Sequence, residues 1–403
     1  MIDERPLAGI RVLDLSRVLA GPFCSMNLAD LGAEVIKIEL PGRGDDSRGY
    51  APRIPNSNDS GYYYSVNRGK LSATIDLRKP AGVGTLLDLV QHCDVVLENF
   101  APGTMARFGL DYTQLAATNP RIILCSISGF GQSGPMASMP AYDIVAQALG
   151  GTMSITGPAN GDPTRCGVSI GDMAAALYGV IAILSALRLR DRTGVGRHLD
   201  IAMLDCQVAL LEDALARYST TGKVPAPLGS RHPSITPFQQ FRASDGYFVA
   251  GAGNEPLWVS FCDAIGTPEL KDDPRFKLNA QRTANHAELE PILNRHFAVE
   301  PRGHWLKLLS EAGVPCAPIA NVDEVTQNPH LKARNMILRA EHPAFDELIV
   351  PGSPLKTVGE PAKPAAIPDT RAPGLGEHTE RVLREVAGYD AVRIAALRAD
   401  GII

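Results

Sequence analysis

The chain has 403 residues, with 39 basic against 44 acidic side chains and a net charge of −5. That length buries a large core without disulfide or metal staples. The acidic balance, with no Lys/Arg run, excludes the electrostatic footprint of a nucleic-acid binder.

The opening Met1-Ile2-Asp3-Glu4-Arg5-Pro6 carries acids where a secretory signal needs a positive start and an apolar run, so no leader is expected. Residues 10–15 read as an apolar strand punctuated by Gly21-Pro22, 23–31 as a helix, and 35–38 as a second strand stopped by Pro41-Gly42. The pattern recurs with a strand at 73–77, a helix at 83–91, a strand at 95–97 and another at 121–127. Strands alternating with helices predict an α/β fold: a parallel sheet with helices on both faces and ligands at the carboxyl ends of the strands. Residues 171–192 predict a helix buried nearly all round, ended by arginines 188, 190 and 192 and by Gly194. Its apolar run, 173–187, falls short of the ~20 residues that cross a bilayer, so no membrane partner is expected. After a strand near 198–202, residues 220–231 read as a linker. A second unit opens at Gly246-Tyr247-Phe248-Val249-Ala250, followed by a proline-rich tail at 331–366 and a closing helical segment at 376–399. The expected division is a large domain over 1–219, a small domain with linkers over 220–330, and a return segment over 331–403 that completes the large domain.

The seven cysteines are scattered without a Cys-x-x-Cys pair, and no His-Glu-x-x-His occurs, so no redox motif or metal site is expected and a reducing compartment, the cytoplasm, is. No glycine-rich dinucleotide loop follows the first strand. Gly167-Val168-Ser169-Ile170-Gly171 fits the hydrolase nucleophile elbow, but turn formers at 160–165 stand where the elbow needs a strand. Asp172 begins the apolar helix. There a carboxylate either caps the helix or serves as a nucleophile held where backbone N–H groups favour anions, and local chemistry leaves both open. At another strand end, Asn99 can bond an adenine or amide edge while Phe100 packs a ring. Arg78 and Arg107 can pair phosphates, and Arg43, Arg48 and Arg53 crowd the loop after the second strand.

Leu7-Ala8-Gly9-Ile10-Arg11-Val12-Leu13-Asp14, Ala20-Gly21-Pro22, Asp30-Leu31-Gly32-Ala33-Glu34, Glu98-Asn99-Phe100, Ser128-Gly129-Phe130-Gly131, Tyr142-Asp143, Gly171-Asp172 and Leu375-Gly376-Glu377-His378-Thr379 follow one another along the whole chain. In that order they resemble the class III CoA-transferases of the CaiB/BaiF family. The resemblance implies an interlocked homodimer with a Rossmann-like large domain and a smaller α/β domain. It implies coenzyme A and acyl-CoA as substrates, a carboxylic acid as acceptor, and no prosthetic group. It puts the catalytic aspartate on Asp172, which attacks the thioester to give a mixed anhydride and then an aspartyl-CoA thioester. CoA contacts are implied at Val18, Leu19, Ala20 and Leu40, at Ile75, Leu77 and Arg78, and at Asn99, Phe100 and Arg107, with Tyr142 and Asp143 lining the active site. Leu19 and Leu40 stand where the formyl-CoA:oxalate branch has glutamine and arginine, which argues against oxalate. Arg231-His232-Pro233, Pro237-Phe238-Gln239 and Gly251-Ala252-Gly253-Asn254 look like the succinyl-CoA:dicarboxylate branch. A second carboxylate wants an arginine, for which Arg48 and Arg231 are the candidates. The alternatives are a 2-methylacyl-CoA racemase of the same fold, which would need a base that Tyr142-Asp143 lacks, a thioesterase using Ser169, and a non-catalytic CoA-binding homologue.

Overall fold

The computed structural model describes residues 5–356 and 370–403. The stretch 357–366 of the proline-rich tail and the acidic start at 1–4 lie outside the described residues. Contacts divide the chain into two compact units. The first is built from residues up to Thr152, from Cys166–Leu215 and from Pro329 onward, and the second from Met153–Arg165 and Ala216–Asn328.

The first unit holds six parallel strands: β1 (Arg11–Asp14), β2 (Glu34–Glu39), β3 (Lys70–Thr74), β4 (Val95–Glu98), β5 (Ile123–Ser128) and β6 (Arg197–Ala202). Their order is β3-β2-β1-β4-β5-β6. The chain therefore winds outward in both directions from β1 and β4, and the crevice beside that reversal is where such sheets bind ligands. The helices that matter for the site are α1 (Ala20–Asp30), α2 (Gly61–Asn67), α3 (Pro80–Val90), α4 (Asp143–Leu149), α5 (Ile170–Thr193) and α6 (Met203–Ala209).

Alternation along the strands decides the two faces. Val12, Val35, Leu97, Cys125 and Ile127 bury against Leu28 of α1 and Ile183 and Leu187 of α5. Leu13, Ile36, Val96 and Leu124 bury against Leu86 and Leu89 of α3 on the other side. Gly179 lets α5 approach α1 and the sheet closely, since a Cβ there would stand 3.2 Å from both Cys24 Sγ and Ile127 Cδ1. At 24 residues α5 outruns the apolar stretch read from the sequence and is long enough to cross a bilayer. Within this fold half of its most apolar window is buried.

The third strand lies at Lys70–Thr74 rather than 73–77. Hydropathy misses it because the strand carries Lys70 and Ser72 inward, where Lys70 Nζ meets Asp14 at 3.1 Å and Ser72 Oγ donates to Glu39 at 2.6 Å. The chain leaves the ladder at Ile75, and Asp76 N–H donates instead to the carbonyl of Ile402 at 2.8 Å. The C-terminal segment thus covers the outer edge of β3. His378 N–H donates to the Ser72 carbonyl at 2.8 Å, and Thr74 N–H donates to Thr379 Oγ1 at 2.9 Å. Capping an edge this way removes a template for strand addition.

The second unit contains a three-stranded antiparallel sheet, β7 (Phe238–Ala243), β8 (Gly246–Gly251) and β9 (Cys316–Pro318). Its core is aromatic: Phe241, Phe248, Trp258, Phe261, Phe297 and Trp305 pack together. The unit begins before the expected Gly246, because Phe238-Gln239-Gln240-Phe241 alternates too weakly to announce a strand. Met153–Arg165 joins it through the hydrogen bond from Gly229 N–H to the Gly157 carbonyl, 2.9 Å.

Candidate active site

Asp172 lies in the first turn of α5, three residues past Ser169 at the helix cap position. The preceding residue, Gly171, donates its N–H to Asp143 Oδ1 at 2.8 Å, and Asp143 Oδ2 accepts from Gln147 Nε2 at 2.7 Å. Gln147 Oε1 in turn accepts the Cys166 N–H at 3.0 Å, which ties the entry into α5 to α4. Burial, reinforced by the Asp143 carboxylate, raises Asp172 to about 7. A carboxyl group of that proton affinity is a better nucleophile, when ionised, than an ordinary aspartate, and much of it is ionised at neutral pH.

Three tyrosines accompany this pair. Tyr62 of α2 is pushed up to about 12 by burial and then by Asp172, Tyr50, Asp45 and Asp143, so it stays a neutral hydroxyl donor. Tyr50 meets it edge to face, with ring centroids 5.6 Å apart. Tyr142, at the start of α4, is largely exposed. Neither Tyr50 nor Tyr62 stood out in the sequence, where no element was predicted between the arginine-rich loop and the third strand. The cluster Tyr-Tyr-Tyr at 62–64 beside an N-capping Ser60 is the signal that could have revealed it.

At the carboxyl ends of β1, β2 and β4 lies a cavity of about 180 Å³. Leu40, Ile75, Leu77 and Phe100 line it as expected residues, with Arg43 of the arginine-rich loop, and together with Arg17, Lys37 and Asp45, which the sequence did not single out as ligand contacts. Asp45 also bears electrostatically on Tyr62, so the cavity wall and Asp172 act on one side chain. Val18 beside it holds a backbone φ of +69°, a left-handed conformation costly for a β-branched residue. Its N–H donates to Asp45 Oδ1 at 3.1 Å. Leu19 and Ala20 follow at the start of α1.

Other expected contacts are used internally. Asn99 Oδ1 accepts the Arg17 N–H and its Nδ2 donates to the Arg17 carbonyl, both at 2.8 Å, so its amide shapes the turn after β1 rather than presenting an edge to a base. Arg78 pairs with Asp76 at 2.8 Å, and Arg107 donates to Thr104 Oγ1 at 2.7 Å, with both side chains exposed. Arg48 is held by internal partners. Its Nε and Nη2 grip both oxygens of Glu39 at 2.7 Å, Nη2 also reaches Tyr63 OH and the Pro373 carbonyl, and the guanidinium lies 3.8 Å from the Tyr63 ring centre. Arg231 lines a groove of the second unit, where burial and this arginine together lower the pKa of His286. The elbow reading of Ser169 fails because no strand precedes it; residues 162–166 form neither strand nor helix.

A separate polar cavity of about 340 Å³ opens beyond β4–β6. Glu98 accepts the Phe100 N–H at 2.7 Å there, and burial raises its carboxyl from 4.5 to about 7. Its folded pKa exceeds the ordinary value, so folding holds the proton, and stability is lost as pH rises from 4.5 through 7. The shift corresponds to about 3 kcal/mol. Glu98→Gln is therefore expected to gain stability over the unsubstituted protein at pH 8 and much less at pH 5, in urea unfolding at the two pH values.

Comparison with known proteins adds the following. The model of CoA-transferase family III matches residues 7–379. Succinyl-CoA:glutarate CoA-transferase of Homo sapiens is 41% identical over 403 residues, covering 100% of this chain and 91% of that protein. Acetyl-CoA:oxalate CoA-transferase of Acetobacter aceti is 44% identical, covering 88% of this chain and 90% of that protein. The crystal structure of a CaiB/BaiF family protein from Brucella suis matches with a TM-score of 0.83 at 38% identity, covering 95% of this chain and 100% of that one.

Proposed function

The chain belongs to CoA-transferase family III, and from that premise we propose that it moves CoA from an acyl-CoA donor, succinyl-CoA first, to a small dicarboxylic acid through covalent intermediates on Asp172. The observation that carries this reading is the Asp172 carboxyl itself, set in the first turn of α5 beside Asp143 and raised to about 7.

The steps balance without any cofactor. The Asp172 carboxylate adds to the thioester carbonyl, and collapse of the oxyanion expels CoA thiolate and leaves a mixed anhydride. The thiolate then attacks the aspartyl carbonyl, releasing the donor as its carboxylate and leaving an aspartyl-CoA thioester. The acceptor carboxylate enters by the reverse path and departs as the new acyl-CoA. Backbone donors at a helix start stabilise the oxyanions, and holding the thiolate close makes its return intramolecular.

In this reading the cavity lined by Leu40, Ile75, Leu77 and Phe100 takes the adenosine end of CoA, with Arg17 and Arg43 serving its phosphates. Val18, Leu19 and Ala20 run beside the pantetheine. Arg78 and Arg107, exposed at neighbouring strand ends, keep a role toward phosphate. With Arg48 committed to Glu39, Arg231 is the remaining arginine for the second carboxylate of a dicarboxylic acceptor. The interlocked homodimer and a cytoplasmic setting belong to the same proposal, the latter supported by seven free thiols.

The test is chemical trapping. Incubation with succinyl-CoA followed by hydroxylamine is expected to convert Asp172 to its hydroxamate, seen in the peptide spanning residues 166–188. Transfer that proceeds while this peptide stays unmodified would overturn the mechanism. A panel of glutarate, oxalate and monocarboxylic acceptors then reads the specificity.

A further inference from the structure

Gln207 of α6 is fully buried, and half of its amide is unused. Its Oε1 accepts the Thr152 hydroxyl at 2.6 Å, whereas its Nε2 has no hydrogen-bond partner among the described residues. The opposite amide orientation would turn a carbonyl oxygen toward the Asp143 carboxylate. A buried donor without a partner costs about 1–3 kcal/mol, so its persistence calls for a reason.

The surroundings supply one. A Cβ built on Gly171 would stand 3.0 Å from Asp143 Oδ1 and 3.3 Å from Gln207 Nε2, so carboxylate and amide border the same point behind the peptide that leads into Asp172. Two glutamines flank Asp143. Gln147 is already bonded to Oδ2, whereas Gln207 Nε2 borders the same point as Oδ1 without a hydrogen bond to it, and Oδ1 accepts the Gly171 N–H. That N–H belongs to the first turn of α5, the position from which a backbone donor can serve an oxyanion at the next residue.

We propose that Gln207 is a positioning residue whose second hydrogen bond forms only during turnover: Nε2 takes over Asp143 Oδ1 and so releases the Gly171 N–H to the oxyanion that develops at Asp172. The inference rests on Asp172 being the acyl acceptor. It requires no new bond to substrate from Gln207 itself, only a transfer of one carboxylate oxygen from one donor to another. Gly171 has to be glycine for this exchange, because any side chain would fill the space between the two groups.

The decisive variant is Gln207→Met, which keeps length and shape but removes the donor. Thr152 Oγ1 keeps the Gln147 carbonyl at 3.2 Å as an acceptor, so the fold loses little. Steady-state kinetics of succinyl-CoA-dependent transfer are expected to show kcat down roughly hundred- to thousandfold, the scale for one oxyanion donor, with KM for the acyl-CoA within twofold and the thermal midpoint unchanged or higher. A second variant, Gln207→Glu, is expected to lose kcat further and to move the acidic limb of the pH profile upward by adding charge beside Asp143. An unchanged kcat in Gln207→Met overturns the proposal, as does a lowered thermal midpoint with kcat and KM degraded together. Asp172→Asn, assayed in parallel, separates the two levels. If it retains transfer, the reading of the site falls. If it is inactive while Gln207→Met is fully active, only this inference does.

Discussion

Asp172→Asn is expected to abolish CoA transfer, lowering kcat by roughly 10⁴-fold or more, the scale seen when a covalent nucleophile is removed, while the protein becomes more stable above pH 7. The activity separates the two roles left open by local chemistry. Asp172 stands three residues past the cap position at Ser169, so a purely structural Asp172 predicts the stability gain with little change in kcat. A nucleophile predicts loss of all covalent chemistry. The stability gain follows from sign. The folded pKa of about 7 lies above the ordinary 3.8, so the native state holds the proton and loses stability as pH rises through that interval. Removing the charge removes the loss. The same shift predicts that kcat/KM of the unsubstituted enzyme climbs with pH through about 7. Asp143→Asn should move that limb downward but leave it above the usual range, because burial is the larger cause and remains. A pH–rate profile of both proteins, with thermal unfolding at pH 8, checks every part.

Asp14→Ala is expected to cost about 3–5 kcal/mol of folding free energy, the scale for stripping one partner from a buried ion pair. Asp14 ends β1 with no exposure. It accepts from the hydroxyls of Ser16 and Ser25 and pairs with Lys70 at 3.1 Å, while Lys37 alongside pairs with Asp45 at 2.8 Å, and all four charged side chains are fully buried. Burial alone would raise the Asp14 carboxyl, but Lys70, Lys37 and the two hydroxyls outweigh it and hold it at about 2. Its contribution is accordingly present above pH 4 and lost as pH falls through 2. Alanine leaves Lys70 without its carboxylate and Lys37 with only Asp45 and Glu39. Lys70 is already weakened, lowered to about 8 by burial. Urea unfolding at pH 7 measures the loss, and a double replacement, Asp14→Leu with Lys70→Met, should recover much of it by removing both unpaired partners. Because Lys37 and Asp45 also line the ligand cavity, surviving folded protein should bind CoA more weakly.

The alternation of strands and helices was legible because β1, β2, β4 and β5 are almost wholly buried and read as short apolar runs. The third strand was displaced in the reading because Lys70 and Ser72 look exposed until Asp14 and Glu39 arrive from neighbouring strands. The internal engagement of Arg48 was hidden for the same reason: its partner Glu39, the last residue of β2, gives no sign in the sequence that it holds the guanidinium. Arg17, Lys37 and Tyr62 escaped notice because their convergence depends on strand order, which hydropathy does not encode. Asp172 was visible as a residue but ambiguous in role from local chemistry, and Asp143, whose charge adds to the upward shift of its carboxyl, lies on another helix. Gln207 had no sequence signal at all, since an unsatisfied amide exists only in three dimensions.

The covering of β3 by the returning C-terminal segment has a consequence for synthesis. Ser72 and His378, which share a backbone hydrogen bond, are 306 positions apart. At translation rates of ~5–20 residues per second the interval between them is about 15–60 s. Throughout it a nascent chain displays an uncapped strand edge and an Asp76 amide still awaiting the carbonyl of Ile402. Until residue 402 emerges, the wall that includes Ile75 and Leu77 lacks its C-terminal support.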